Sequence, residues 1–261
     1  MLLENKFAFV SGGSDGIGAS SAIALSNAGC SVIITGRDKR KLQSVLSRLD
    51  LSINQKHGKI VTDYDNPDNM IEDVRKYKDL NSLEFDILIN NSGGPNQGRI
   101  VNASINEFKS TFDRHLICNH LLFQDFYGYM KENKYGRVIN IISTSVRQPI
   151  KGLGVSNTIR GAVASWAKTL SYEVAQDGIT VNNILPGFTK TARLDSIISS
   201  KSENFGISKD DVISNMISTI PIGRFGRPEE IADLLVFISS ENASYINGVS
   251  IQVDGGRLET I

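Results

Sequence analysis

The sequence is poor in cysteine, proline and aromatic residues, and each shortage removes a class of protein. Only two cysteines, Cys30 and Cys118, occur in 261 residues. They are far apart, so a disulfide-stapled scaffold is excluded and buried thiols are expected. Neither belongs to a spacing of Cys and His that would hold a metal, and no metal site is expected. Proline numbers six and tryptophan one. No Pro-rich linker divides the chain, and one domain over 1–261 is expected. Net charge is also missing: 28 Lys and Arg balance 28 Asp and Glu. A basic nucleic-acid surface is therefore not expected. No apolar run approaches the ~18 residues of a membrane helix, and the segment around Glu4 and Lys6 is unlike a signal peptide. A cytoplasmic protein with no membrane partner is the expectation.

What is present is a rhythm. Short runs rich in Val and Ile recur at 7–11, 31–35, 59–62, 85–90, 137–142, 179–185 and 248–253. Each is too short for a helix, and its Val and Ile content makes it read as a buried strand. Amphipathic stretches at 18–29, 37–49, 104–132, 154–176 and 227–240 read as helices between them. Alternating strands and helices predict an α/β fold with a parallel sheet of about seven strands, covered by helices on both faces. Residues 190–220 are polar, rich in Ser and broken at Gly206. They are expected to form a lid over a site.

The segment SGGSDGIG at 11–18 lies between the first strand and the first helix. Gly12, Gly16 and Gly18 would let the chain turn tightly and bring backbone close to a pyrophosphate. The helix N-terminus would add free N–H groups for phosphate oxygens. This frame points to a dinucleotide. The second strand ends in Thr35 and Gly36, with no carboxylate to hold ribose hydroxyls, and Arg37 follows. Arg37 can pair with a 2′-phosphate, so NADP(H) is favoured over NAD(H). Asp15 and Asp38 stand nearby and would oppose that phosphate.

In order and spacing, SGGSDGIG at 11–18, Asp63, NNSGGP at 90–95, RVINIIS at 137–143, ITVNNILPGFTKT at 179–191, GRPEEIA and GVSIQVDGG resemble the short-chain dehydrogenase/reductase family, from about residue 5 to 256. The likeness is to its 3-oxoacyl-acyl-carrier-protein reductase-like branch. It implies a single-domain Rossmann-type doubly wound sheet, a small carbonyl or alcohol substrate, and a homotetramer or homodimer. It also implies roles for matching residues. Ser14, Asp15 and Ile17 with the three glycines would line the pyrophosphate. Asp63 would meet the adenine, and Asn90, Ser92 and Gly93 would border the adenosine. Pro186, Gly187, Thr189 and Thr191 would face the nicotinamide.

The same resemblance implies a catalytic set of Ser, Tyr, Lys and Asn. Ser143 fits the first. Ser156 stands where Tyr is expected, and Arg160 stands where Lys is expected. No Tyr lies between Tyr135 and Tyr172, so a shift of register cannot restore the motif. His115 takes the Asn position. A serine hydroxyl is a much weaker acid than a phenol, whose reference pKa is about 10. Arg160 could hold the ribose and supply charge. His115 is the nearby group expected to titrate near neutrality, and hence the candidate proton relay. Arg147 is a further candidate for an anionic substrate. The expected function is an NADP(H)-dependent oxidoreductase with an altered proton relay. The alternative is a catalytically silent dinucleotide-binding protein.

Overall fold

Seven parallel strands run in the order β3-β2-β1-β4-β5-β6-β7. The computed structural model describes residues 1–260. The strands are β1 (Phe7–Val10), β2 (Ser31–Gly36), β3 (Gly58–Val61), β4 (Ile87–Asn90), β5 (Gly136–Ile141), β6 (Ile179–Pro186) and β7 (Ser250–Val253). Chain order reverses between β1 and β4. At such a switch point the loops leaving the two strands diverge to opposite faces and open a crevice at the strands' C-terminal ends.

Nine helices accompany the sheet among the described residues. They are α1 (Gly16–Asn27), α2 (Lys39–Leu46), α3 (Pro67–Asn81), α4 (Ile105–Phe112), α5 (Cys118–Glu132), α6 (Gly154–Glu173), α7 (Ala192–Phe205), α8 (Lys209–Ile217) and α9 (Pro228–Ser239). Successive strand residues point to opposite faces, so one strand feeds two cores. Ala8 and Val10 pack with Leu25 of α1, Leu42 of α2 and Leu235 of α9. Phe9 packs the other way, with Val74 of α3, Phe126 of α5 and Leu170 of α6. The rings of Phe9, Phe85 and Phe126 meet at 4.6–5.3 Å between centroids. Cys30 and Cys118 are buried free thiols.

Three segments differ from the sequence reading. The helical pattern at 104–132 is not one continuous α-helix: five residues, Asp113–Ile117, form a π-turn between α4 and α5. Helix α3 was not expected. Its start is nonetheless written in Asn66, whose side chain caps the Asn69 N–H, and in Pro67. Residues 190–220 are regular. Thr191 caps α7, Gly206 ends it in the left-handed conformation (φ 64°), and Ser208 caps α8. Leu194, Ile198, Val212, Met216, Ile220 and Phe225 form a small core of their own.

Beneath the crevice, one row of the sheet is polar. Asn90, Asn140, Asn183 and Ser250 are register partners across β4, β5, β6 and β7. Asn90 Nδ2 donates to Asn140 Oδ1 at 2.9 Å, Asn140 Nδ2 to Asn183 Oδ1 at 2.9 Å, and Asn183 Nδ2 to Ser250 Oγ at 3.1 Å. Apolar side chains would bury as easily. The ladder fixes register, because any slip separates all of these pairs at once. Removing its middle rung should therefore be expensive. Asn140→Ala leaves a donor on Asn90 and an acceptor on Asn183 buried without partners. Unfolding in urea should show a loss of about 2–4 kcal/mol; a loss below about 1 kcal/mol would mean that the ladder contributes little.

Candidate active site

A cavity of about 530 Å³ opens at the C-terminal ends of β1, β4, β5 and β6. Its floor at one end is the turn between β1 and α1. Gly12 has φ +58°, and a Cβ there would lie 2.2 Å from the Asn91 carbonyl oxygen. A Cβ on Gly18 would lie 2.1 Å from the Gly12 carbonyl oxygen. Neither position admits a side chain. Gly12, Ser14, Asp15, Gly16 and Ile17 lie on the wall, while Gly18 packs behind it. The N–H groups of Ile17 and Gly18 have no hydrogen-bond partner among the described residues. A bare backbone cradle at a helix N-terminus fits a pyrophosphate.

Arg37 and Asp63 close this end of the cavity. Arg37 is 70% exposed, with Nη1 3.9 Å from Asp63 and 3.6 Å from Asp65. Ser14 packs against Gly36, beside Arg37. The two carboxylates expected to oppose a phosphate are already engaged. Asp15 caps Gly16 of α1 and sits 2.7 Å from Lys41 Nζ; the Lys41 contact holds its carboxyl below the ordinary range. Asp38 caps α2 through the Arg40 and Lys41 N–H groups, which likewise lower its pKa.

Asn90 begins the buried ladder and is not on the wall; its neighbour Asn91, missed in the sequence, is. Asn91 Nδ2 donates to the Gly12 carbonyl at 3.2 Å and so ties β4 to the glycine turn. Ser92, Gly93 and Gly94 continue that wall. Pro186, Gly187, Thr189 and Thr191 form the wall opposite, where β6 leads into α7.

Ser143, Ser156 and Arg160 share the far end. Ser143 accepts from the Ser145 N–H at 3.0 Å, which fixes the turn after β5. Arg160 is one turn beyond Ser156 on α6. Its Nη1 donates to the carbonyls of Ile141 (3.1 Å) and Ile142 (2.8 Å), and its Nε to Ser156 Oγ (3.3 Å). Burial, with a smaller contribution from Arg193, pushes the guanidinium down to about 10. It is still cationic at neutral pH. Among the described residues, the one tyrosine on the wall is Tyr64, and its hydroxyl is bonded to Thr35 and Ser11 at 2.8 Å each.

His115 stands behind the wall, buried in the π-turn. Its Nδ1 is 2.7 Å from Ser92 Oγ, and its Nε2 has no partner. Burial first, then the charges of Arg160 and Arg114, hold its pKa well below the ordinary value. The expectation of a group titrating near neutrality is thus corrected: the site keeps this imidazole neutral. Arg147 is exposed and off the wall, so it does not face the cavity. Arg114 and Arg193 do line it and were not expected. Arg114 Nε donates to Asp65 at 2.7 Å. Arg193 Nη2 donates to the Pro95 carbonyl at 2.6 Å.

The buried neutral His115 has a consequence for acid stability. Below about pH 6.5 the unfolded chain takes up a proton at this imidazole and the folded protein does not. Stability should fall as pH drops through that value, by up to about 1.4 kcal/mol per pH unit from this group alone. His115→Asn should flatten the slope between pH 6.5 and 5, as followed by urea titrations. Equal slopes in both proteins, or an NMR titration of His115 near pH 6.5, would contradict the neutral assignment.

Comparison with known proteins places this arrangement. Residues 12–257 match a family model described as enoyl-(acyl carrier protein) reductase. The 3-oxoacyl-[acyl-carrier-protein] reductase FabG of Rickettsia conorii is 32% identical over 259 residues, covering 98% of each chain. The NADPH-dependent reductase BacG of Bacillus subtilis is 28% identical, covering 99% of this chain and all of that one. Among solved structures, YwfH, an NADPH-dependent reductase involved in bacilysin biosynthesis, superposes with a TM-score of 0.91 at 28% identity, covering 98% of this chain and 99% of that one. L-sorbose reductase of Gluconobacter frateurii, complexed with NADPH and L-sorbose, gives 0.92 at 26% identity, covering 99% and 98%. A glycine cradle, an all-parallel sheet with its order reversed at β1 and β4, and a full-length match to named reductases agree: the chain belongs to the short-chain dehydrogenase/reductase family and is an NAD(P)-dependent oxidoreductase.

Proposed function

We propose that this oxidoreductase uses NADP(H) to interconvert a carbonyl and a hydroxyl group, with Ser156 and Arg160 in place of the family's Tyr and Lys. The observation that carries the reading is that Ser143, Ser156 and Arg160 share one wall of the cavity whose other end is the glycine cradle. Bound NADPH would supply the hydride. Ser143 would donate a hydrogen bond to the substrate oxygen. Arg160, held by two backbone carbonyls, would fix the nicotinamide ribose and place a positive charge beside the oxygen as negative charge develops there. Ser156, tied to Arg160, would orient that charge but is too weak an acid to protonate the product, so the alkoxide left by hydride transfer would take its proton from solvent water entering the cavity and release hydroxide to bulk. His115 would hold Ser92 in place as a neutral partner.

Support for NADP(H) comes from Arg37 and Ser14 at the tip of β2, from the engagement of Asp15 and Asp38 elsewhere, and from NADPH-dependent relatives. Asp63 and Asp65 offset part of the Arg37 charge, so the preference should be modest. Helix α7 carries Arg193 and Ile197 at the cavity rim beside its cap Thr191, and α7 with α8 would close over bound cofactor as a unit with its own core. That no acid on the wall is free to titrate near neutrality among the described residues favours a second reading, in which the protein binds the dinucleotide and performs no chemistry.

One kinetic comparison separates the readings. The parent protein should oxidise NADPH slowly with simple ketones and bind it more tightly than NADH. The double variant Ser156→Tyr with Arg160→Lys should be faster by roughly 10²-fold, the scale of a positioned general acid. Equal affinity for the two cofactors would remove the NADP(H) assignment. Tight cofactor binding with no turnover by either protein would make the silent reading the better one.

A further inference from the structure

The cavity is electrostatically lopsided. Its two carboxylates, Asp15 and Asp63, both lie at the glycine-turn and Arg37 end. At the other end stand Arg160 and Arg193, and neither forms an ion pair among the described residues. They come from different elements, α6 and α7, and approach the same point from two sides. A Cβ built on Gly94 would meet Arg160 Nη2 at 3.5 Å and Arg193 Nη2 at 3.8 Å. Glycine leaves that space open. The remaining donors, Arg160 Nη2 and Arg193 Nη1 and Nε, make no hydrogen bond among the described residues.

Two cations brought together out of bulk water repel each other and lose hydration. Burial lowers the pKa of both, and each of these costs falls if an anion binds between them. A planar guanidinium fork with free N–H groups suits a carboxylate in particular. Arg193 lines the cavity and is anchored through one nitrogen on Pro95, so binding an anion there would cost little further rotamer freedom.

We infer that the substrate carries its own carboxylate, and that Arg193, seconded by Arg160 across Gly94, is the residue that selects it. This rests on the reductase reading for the identity of the reaction but not for the binding of the anion. Arg193 is a specificity residue here. It touches the carboxylate, and the reacting carbonyl remains with Ser143.

The test uses matched pairs: oxo acids of increasing chain length, such as pyruvate, acetoacetate and levulinate, each against its neutral methyl ester. NADPH oxidation by the parent should favour the best acid over its ester by roughly 10- to 100-fold in kcat/KM, the scale of a charge-assisted contact. Arg193→Ala should abolish that preference while leaving the Kd for NADPH within about threefold. Arg193→Lys should restore part of it, and Arg147→Ala, an exposed control, should leave it intact. Calorimetric titration of the NADP⁺ complex with the same acids gives a readout free of turnover. Heat of binding that is lost in Arg193→Ala, in a protein that turns over nothing, keeps the carboxylate site and removes the reductase reading. Acids and esters used equally, no acid bound by the parent, or a loss in Arg193→Ala confined to NADPH affinity would each overturn the proposal. The last result would assign Arg193 to the cofactor's pyrophosphate instead.

Discussion

Three pieces of backbone nest at the switch point with no room for a side chain, and the rest of the site hangs from that contact. Gly12 lies against the Asn91 carbonyl, Gly18 lies against the Gly12 carbonyl, and Asn91 ties the two loops by its amide. Because α1 must start there, its free N–H groups face the crevice. Because β4 must end there, Ser92 to Gly94 are carried along the wall. A methyl group at Gly12 or Gly18 would push these segments apart, and the cradle would be lost with them. The asparagine ladder does the same service on the other half of the sheet. It holds β5 and β6 in the register that brings Ser143 and the Pro186–Gly187 turn to the same level.

Charge is distributed around this scaffold with a consistent logic. Carboxylates near the glycine turn are used as helix caps or paired with Lys41, so the cradle is left to backbone N–H groups. At the opposite end positive charge is concentrated. Arg160 is locked onto the carbonyls that end β5, and Arg193 onto Pro95. His115, between Arg114 and Arg160, has no way to gain a proton cheaply in that field. Burial first, and the arginines second, hold its pKa down, and the neutral imidazole serves as a structural partner of Ser92.

Much of this was legible in the order of residues. Short runs rich in Val and Ile marked the strands, since a strand covered on both faces needs apolar residues on each. The glycine turn could be read because only glycine tolerates its geometry. Long-range geometry could not be read. Nothing near Asn90 says that its amide points along the sheet to Asn140, and Asn91, one residue on, takes the place at the wall. His115 reads as a titrating group because a free imidazole has its reference pKa near neutrality; in the structure it is buried in the π-turn, which no local signal announced. Arg193 carries no local signal within a polar, Ser-rich segment, and its place at the cavity follows only from α7, which brings it to the Pro95 carbonyl. Helices α3, α7 and α8 were omissions with local signals, the Asn66–Pro67 start and the Thr191 and Ser208 caps.

In the proposed reaction a hydride passes across this cavity to a carbonyl carbon without a tyrosine to supply the proton. NADPH carrying deuterium at both C4 positions of its nicotinamide tests that directly, with the product analysed by mass spectrometry. The product should be an alcohol bearing a single deuterium on the former carbonyl carbon. An alcohol without label, or cofactor consumed with no alcohol formed, would contradict it.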